Sequence, residues 1–182
     1  MKRKHWVIGW VLAGMAVPSL GCHTKSPSVS PGPPGDARLA NAAPTVDALL
    51  DEFLAALEGK DMQALERLRV SESEYRDIIM PGSVPPGHAP QVFPEKKSKF
   101  FWGMNNTKSI YWAGSLLESF GGHRYTRKEV EYTKGVQQYA WYTAYKRVRL
   151  TVVDEEGNEK DLRTGSIAEV NGQYKFVSFA GG

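Results

Sequence analysis

Cysteine and histidine are scarce in this sequence, and that limits the chemistry it can carry. Cys22 is the only cysteine among 182 residues, so a disulfide within one chain is excluded and a cysteine-based zinc site is not expected. None of His23, His88 and His123 lies at ligand spacing from another. No glycine-rich phosphate loop follows a strand, and no G-x-S-x-G motif occurs. We therefore predict no metal and no cofactor.

The sequence also lacks an apolar run of the roughly 20 residues that a membrane-spanning helix needs. A shorter uncharged stretch, residues 5–21, follows the basic head MKRK and ends in Gly21, directly before Cys22. A basic head, a short apolar segment and a small residue at the cleavage position are typical of a secretory signal peptide. We therefore expect a signal peptide over residues 1–21, cleaved before Cys22.

The stretch VLAGMAVPSLGC resembles a bacterial lipoprotein signal, in which a glycine or alanine precedes a cysteine that is lipidated and becomes the new N-terminus. The resemblance implies that Cys22 carries acyl chains and that the protein is a lipid-anchored protein of the cell envelope, on its periplasmic or outer face. It also implies that His23 is compatible with sorting to an outer membrane in a Gram-negative host. A plain secretory signal and an uncleaved anchor are the alternatives.

An excess of one charge is missing as well. The net charge of +3 comes from the basic head, and the chain from Cys22 onward has 20 basic and 20 acidic side chains. Global electrostatics therefore favours no particular partner. Residues 95–149 hold eleven basic and four acidic side chains. We interpret them as a solvated face, with anionic lipid or glycan headgroups as the alternative, and we expect no nucleic-acid partner.

The composition divides the remaining chain into two parts. Residues 23–44 are rich in Pro, Ser, Gly and Ala and contain no aromatic residue. Such a segment buries too little apolar surface to offset its ordering entropy, so we predict a disordered tether over residues 22–44, starting at the lipidated cysteine. Residues 45–182 are long enough for one domain with one core.

The first helices are predicted from apolar spacing and capping residues. TVDALLDEFLAALEGKD has one apolar face, and we predict that Thr45 caps its helix and Gly59 ends it. Asp61 is the predicted cap of a second short helix. The S-x-x-E pattern that starts at Ser71 predicts a capping box for a third helix, which Pro81 ends.

A helix followed by strands is predicted for the rest. Residues 95–120 have a helical pattern with a break near residues 103–106, which predicts one kinked helix or two shorter ones. Its apolar positions begin with Phe100, Phe101, Met104 and Ile110. After residue 123, alternating runs separated by the turn signals DEEGN and NG predict at least four antiparallel strands. Helices followed by a curved antiparallel sheet of about four or more strands make an α+β domain.

The opening FLAALEGKDMQALERL and the closing TGSIAEVNGQYKFVSFAG resemble the nuclear-transport-factor-2-like, or cystatin-like, α+β cone. The resemblance implies a conical cavity between the sheet and the helices, and it makes a sheet-mediated homodimer an expected state. Enzymes of that superfamily, such as ketosteroid isomerase relatives, hold acid and base groups in the cavity. The best such set here is Tyr75 with Glu118 or His123, and we assign no catalytic residue.

Aromatic residues are the more informative candidates. On a continuous strand, alternation places Tyr139, Trp141 and Tyr145 on one face and Tyr142 on the other. We expect some of these rings to pack in the core and the others to form a cavity or a partner surface. The candidates for that surface are Tyr75, Tyr111, Trp112, Tyr139, Trp141, Tyr142 and Tyr145.

Together these patterns predict a lipid-anchored envelope protein that acts as a noncatalytic binding or assembly module, for a small apolar ligand or an envelope protein. The alternative is a small isomerase or hydrolase of the ketosteroid-isomerase or polyketide-cyclase type. A buried carboxyl group with a raised pKa, facing a cavity, favours the enzyme. A cavity filled by Trp112, Trp141 and Phe176 excludes it.

Overall fold

The computed structural model describes residues 37–180. The predicted signal peptide, the lipidation site Cys22 and residues 23–36 of the predicted tether lie outside the described residues. The helices are α1 (Val46–Glu58), α2 (Met62–Arg67), α3 (Glu72–Glu74), a π-helix (Tyr75–Ile79), α4 (Met80–Gly82) and α5 (Glu95–Phe120). Between residues 37 and 180, no helix combines the length and the apolar character needed to cross a membrane.

Seven strands follow the helices, so the predicted α+β class is confirmed. They are β1 (Tyr125–Tyr132), β2 (Val136–Gln138), β3 (Thr143–Tyr145), β4 (Val148–Asp154), β5 (Glu159–Arg163), β6 (Ser166–Val170) and β7 (Gln173–Ser178). They form two antiparallel sheets where we expected one, a three-stranded sheet in the order β1-β4-β5 and a four-stranded sheet in the order β2-β3-β6-β7. Both predicted hairpin turns are confirmed, since β4 pairs with β5 and β6 pairs with β7.

The predicted helix caps are present. The side chain of Thr45 accepts a hydrogen bond from the N–H of Ala48, and that of Asp61 accepts one from the N–H of Ala64. Ser71 and Glu74 form the complete capping box. Each bond satisfies a backbone donor that the first helical turn leaves without a partner. The third helix does not end at Pro81, because a π-helix and the short α4 carry it on to Gly82.

The main core lies between α1 and the two sheets. The helix buries Leu49, Leu50 and Leu57 completely, and its Phe53 ring meets the rings of Phe176 and Phe179 at centroid distances of 5.5 and 6.0 Å. Leucine, isoleucine and valine side chains from both sheets complete this cluster. Close packing of this kind fills the centre of the domain with side chains.

The long helix α5 differs from its prediction in two ways. It is a single uninterrupted helix of 26 residues, without a break near residues 103–106. Its buried residues are Ser98, Ser109, Ala113 and Leu116, whereas three of the four positions at which the predicted apolar pattern begins, Phe100, Met104 and Ile110, are exposed.

The polar residues on the inner side of α5 bind backbone groups near the end of β7. The hydroxyl of the fully buried Ser109 accepts a hydrogen bond from the N–H of Phe179 at 2.6 Å. The side-chain amide of Asn105 donates to the carbonyl of Val177 at 3.3 Å. These groups cover an edge strand, which would otherwise expose unpaired backbone donors and acceptors.

Residues 37–43, here called the strap, belong to the predicted tether but pack on the domain. Leu39 is buried, and Ala43 exchanges two backbone hydrogen bonds with Tyr174 of β7, at 3.1 and 2.9 Å. An apolar side chain and a backbone pairing give this segment contacts that its Ala-rich composition did not indicate. The packed part of the chain therefore begins before Thr45.

A buried ion pair fastens the strap. The ammonium of Lys175 lies 3.0 Å from a carboxylate oxygen of Glu74, and both side chains are almost fully buried. Lys175 also donates to the carbonyl of Ala40 at 2.8 Å, and the other oxygen of Glu74 accepts from the N–H of Ala40 at 2.5 Å. Because Glu74 also caps α3, one carboxylate joins the strap, α3 and β7.

The turn between β4 and β5 has a strongly stabilised carboxylate. Burial acts to raise the pKa of Asp154, but hydrogen bonds from Asn158, the Lys160 ammonium and the N–H of Glu156 outweigh it and lower the pKa to about 2. A depressed folded-state pKa stabilises the folded state above the ordinary pKa of 3.8, and this contribution is lost as pH falls from about 4 to about 2.

Replacing Asp154 by asparagine is therefore expected to flatten the acid limb of the stability profile. The measurement is the urea midpoint of both proteins at half-unit steps from pH 6 to pH 2. The wild-type midpoint falls more steeply than that of Asp154→Asn below pH 4. Parallel profiles would show that Asp154 does not carry this pH dependence.

Candidate functional site

The acid–base set suggested by the sequence is not brought together. Tyr75 contacts Trp102 near the start of α5, and Glu118 lies 16 residues further along the same helix. At 1.5 Å per residue, that is about 24 Å of helix. His123 lies beyond the end of α5 and contacts Glu155 at 3.2 Å. No proton transfer among the three is feasible in this arrangement.

Carboxyl groups with shifted pKa values are all shifted downward within residues 37–180. Hydrogen bonds from Arg76 and Lys99 lower the pKa of Asp77 and of Glu95, respectively. The pKa of Glu155 is lowered by hydrogen bonds from its own backbone N–H and from His123. These groups are stabilised as anions, which is the opposite of what a general acid needs. The described residues also contain no group of three His, Cys, Asp or Glu side chains that could hold a metal ion.

Four of the seven predicted aromatic residues lie in a second apolar cluster beside the π-helix. The rings of Tyr139 and Tyr142 are stacked at 4.8 Å, and the ring of Tyr75 contacts that of Trp102 at 5.6 Å. We call the set Tyr75, Trp102, Tyr139, Trp141 and Tyr142 the aromatic cluster. The sequence reasoning missed Trp102, whose neighbours on the inner side of α5 are polar. π-helical turns often occur at functional sites, which makes this region a candidate.

The predicted strand alternation within the aromatic run is wrong. Residues 139–142 form a tight turn between β2 and β3, closed by a hydrogen bond from the N–H of Tyr139 to the carbonyl of Tyr142 at 2.8 Å. Residues in a turn do not alternate between two faces. The rings of Tyr139 and Tyr142 therefore stack, where a strand would have separated them.

The hydroxyl of Tyr142 is the most perturbed group of the cluster. Burial raises the pKa of Tyr142 to about 12. Its hydrogen bond with the hydroxyl of Ser83 is 2.8 Å long. Because the hydroxyl of Ser83 donates to the carbonyl of Ile79, Tyr142 is the donor to Ser83.

Replacing Tyr142 by phenylalanine is expected to cost about 1 kcal/mol at neutral pH, the usual contribution of one hydrogen bond. Because the pKa of Tyr142 is higher in the folded than in the unfolded protein, its protonated hydroxyl stabilises the wild type below the ordinary pKa of 10.0. This stabilisation is lost as pH rises towards 12. The stability difference between the two proteins therefore shrinks over that range, as urea unfolding from pH 8 to pH 12 can measure. A stability difference that stays constant from pH 8 to pH 12 would contradict the burial of the Tyr142 hydroxyl.

A groove of about 520 Å³ opens beside the aromatic cluster. Trp141 lines it together with Pro81, Val92 and Phe93. The side chain of Trp141 approaches the backbone of Gly82 closely, since a Cβ added to Gly82 would lie 2.6 Å from the Cβ of Trp141. The lining of the groove also includes the Arg76–Asp77 ion pair.

The other three predicted residues lie elsewhere. Tyr145 is partly buried against the main core, with its ring 5.0 Å from that of Tyr132. Trp112 also packs against the main core, and Tyr111 next to it is 68% exposed. The predicted aromatic surface therefore divides into the aromatic cluster, core positions and one exposed tyrosine.

The outward side of α5 is a second candidate surface. Phe100, Met104 and Tyr111 are spaced by four and seven residues, which places them along one line of the helix. With their neighbour Ile110 they are 42–68% exposed, and we call these four residues the outer row. The exposed lysines that flank it are Lys96, Lys97, Lys99 and Lys108.

Large apolar side chains exposed together on one element of a folded domain mark interaction surfaces more often than chance exposure does. The outer row and the groove beside Trp141 are two apolar surfaces that the described residues present for binding. Neither carries a nucleophile paired with a base, so both are suited to recognition. Comparisons with protein-family models, with curated proteins and with solved structures give no match to this chain.

Proposed function

We propose that this protein is a lipid-anchored protein of the cell envelope, on its periplasmic or outer face, whose domain binds a partner protein without catalysis. The observation that carries the proposal is the outer row, where α5 exposes Phe100 and Tyr111 by more than 60% each. A helix whose apolar residues face solvent is poorly suited to an isolated monomer. A partner protein that covers the row would remove this apolar area from water.

The flanking charges define the partner's chemistry. Lys96 and Lys108 have no acidic partner among the described residues, whereas Lys99 is paired with Glu95 at 2.8 Å. A complementary surface has an apolar strip with acidic residues at its edges. We therefore propose an envelope protein with such a strip as the partner, with a second copy of this chain as the alternative.

The proposal is tested by crosslinking in the intact cell envelope. The full chain carries a photo-activated amino acid in place of Tyr111, and crosslinked products are identified by mass spectrometry. One discrete partner is expected, and its yield should fall at least about fivefold in a chain that also contains Phe100→Ser. Val136→Ser, which changes an exposed apolar residue of β2, is the matched control and should leave the yield unchanged.

Two outcomes would change the proposal. A product with the mass of two copies of this chain would replace the partner protein by a homodimer. The absence of any discrete product at position 111 would reject the outer row as a binding surface. Phe100→Ser and Val136→Ser both change exposed side chains, so the free energy of unfolding of each variant should stay within about 0.5 kcal/mol of the wild type. That result would exclude misfolding as the cause of a lower crosslinking yield.

The lipid anchor is tested separately. Cys22→Ala is expected to release the protein from the membrane fraction or to leave an unprocessed precursor, because the acyl attachment point is removed. The control is Ser26→Ala in the predicted tether, which should leave membrane retention and processing unchanged. Retention of fully processed Cys22→Ala protein would reject the anchor without affecting the outer row.

The groove beside Trp141 favours a second binding role, for a small apolar ligand. Its volume of about 520 Å³ lies within the usual range of ligand sites. Native mass spectrometry of the intact protein, compared with denaturing mass spectrometry, would detect a bound molecule as extra mass. An isomerase or hydrolase of the ketosteroid-isomerase type is the less supported alternative, because the described carboxyl groups with shifted pKa values are all shifted downward and the main core is filled.

We also propose a relationship to the nuclear-transport-factor-2-like cone. The order of the elements, with helices before a series of antiparallel strands, supports it. The position of Phe176 in the main core implies that the cavity of that superfamily is closed in this chain. The division of the strands into two sheets counts against it, and a crystal structure that keeps the two sheets separate would reject the relationship.

A further inference from the structure

A second kind of surface lies where β4 begins and β5 ends. There, Arg147, Arg149 and Arg163 line a common cleft of about 190 Å³ with Thr133 and Thr164. We call it the basic cleft. It is far smaller than the groove beside Trp141 and shares no residue with it. Its size and charge suit a single anionic group.

Two of these arginines lie directly opposite each other. In the antiparallel pairing of β4 with β5, Arg149 is the register partner of Arg163. Side chains in such positions are about 5 Å apart at Cβ, and like charges there destabilise the sheet. The sequence thus places a repulsive pair where a neutral pair would be more stable, a cost that a bound anion would offset.

The charges of the basic cleft are incompletely neutralised. Arg149 forms an ion pair with Glu131, its register partner on β1, so one of the three positive charges is balanced. The side chains of Arg147 and Arg163 have no hydrogen-bond or ion-pair partner among residues 37–180. Other exposed cations of the sheets, such as Lys128, are paired with acids.

Two further features distinguish the cleft. Arg147 has a left-handed backbone with φ of 53°, which is uncommon for a residue with a side chain. Both the N–H and the hydroxyl of Thr133 donate to the carbonyl of Arg147, at 3.0 Å each, and hold this conformation. The hydroxyl of the buried Thr164 has no hydrogen-bond partner within the described chain, which is rare for a buried polar atom.

From these observations we propose that the basic cleft binds a phosphate group. A tetrahedral oxyanion accepts several N–H donors at once, and guanidinium groups match it in geometry and charge. Arg147 and Arg163 supply the unpaired charges, and Arg149, held by Glu131, supplies the third donor. The source is a free phosphate or the headgroup of an anionic lipid.

The test titrates the intact protein, in a nonionic detergent at constant ionic strength, with two probes by isothermal calorimetry. They are inorganic phosphate and glycerophosphoglycerol, the water-soluble headgroup of phosphatidylglycerol. Tighter binding of phosphate identifies a free phosphate as the source, and tighter binding of the diester identifies a lipid headgroup. Heat no larger than that from chloride with both probes would overturn the proposal.

Arg163→Gln is expected to weaken binding of the preferred probe at least about tenfold. The matched control is Arg38→Gln in the strap, which removes the same charge from an exposed arginine outside the cleft and should change the affinity less than about twofold.

A stability measurement separates a binding role from a structural one. Because Arg163→Gln removes the repulsion from Arg149, it should raise the unfolding temperature without phosphate and abolish the increase that phosphate causes in the wild type. A variant that is less stable than the wild type and keeps the phosphate-dependent increase would overturn the proposal. This site does not depend on the outer row, so failure of either leaves the other standing.

Discussion

A Gly165→Ala chain is expected to be destabilised by more than about 4 kcal/mol, an exceptional effect for the addition of one methyl group. Gly165 joins β5 of the three-stranded sheet to β6 of the four-stranded sheet. A Cβ at this position would lie 1.5 Å from the carbonyl oxygen of Ser178 and 2.6 Å from its carbonyl carbon. Both are backbone atoms, so no side-chain rotation can relieve the overlap.

The required backbone movement would spread into the main core. Phe179, which follows Ser178, is 1% exposed, and its N–H is bound to Ser109 of α5. The carbonyl of Gly165 in turn accepts a hydrogen bond from the N–H of Val148 in β4. Urea unfolding measures the loss of stability directly. An unchanged midpoint would show that the two backbones do not approach as closely as described.

Gly103→Ala is the control for a glycine without such a contact. It lies in the exposed part of α5, where an added Cβ meets no atom within 4 Å. Alanine is favoured over glycine inside a helix, so this substitution should stabilise the protein by about 0.5–1 kcal/mol. The same measurement also tests whether α5 is continuous, because a break at Gly103 would remove this gain.

Lys175→Met is the second substitution with a large expected effect, a loss of about 3–5 kcal/mol. It leaves the carboxylate of Glu74 buried without its counter-charge, and it removes the hydrogen bond to Ala40. Local release of the strap should accompany the loss. Hydrogen exchange at the N–H of Ala43, which is bonded to Tyr174, measures that release.

A double variant and an exposed pair provide the controls for Lys175. Glu74→Gln combined with Lys175→Met should be more stable than the sum of the single effects predicts, because neither charge is left alone. Lys99→Met breaks the exposed pair with Glu95 and should cost less than about 1 kcal/mol. Equal costs at Lys99 and Lys175 would contradict a special role for the buried pair.

Local signals in the sequence were sufficient for the helix starts and the hairpin turns. The cap of α1 depends on Thr45 and a donor three residues away, and the capping box on Ser71 and Glu74. Asn171 and Gly172 adopt the positive φ angles that their turn requires. Contacts of this kind lie within a few residues, so the sequence order alone specifies them.

The inner side of α5 could not be predicted from apolar spacing. Its fully buried Ser109 accepts a hydrogen bond from a backbone N–H 70 residues away, a contact that local spacing does not indicate. The apolar residues Phe100 and Tyr111 are instead exposed. Lys175 is a similar case. Alternation along β7 places it opposite the buried Phe176, on a side that would face solvent if Glu74 and the strap did not cover it.

The candidate sites were predictable only in part. Four of the seven aromatic candidates do assemble, but Trp102 completes their cluster from a helix that the sequence does not link to them. The basic cleft depends on the register of β4 against β5, which sets Arg149 opposite Arg163. Register is a long-range property, so the charge count over residues 95–149 could not indicate that Arg163 lies beside Arg147 and Arg149.

The attachment of the strap determines how the domain responds to mechanical load. With the proposed lipid anchor in place, tension from the residues before Ala37 would reach the folded chain first at Leu39 and Ala40, whose N–H groups are bonded to Gln173 and Glu74. The strap would have to be pulled away from β7 before α1 experienced any force. Release of the strap would be the first step of unfolding under load. It would uncover Leu39 and Ala43 while α1 stays packed on the sheets, and the proposed tether would become seven residues longer.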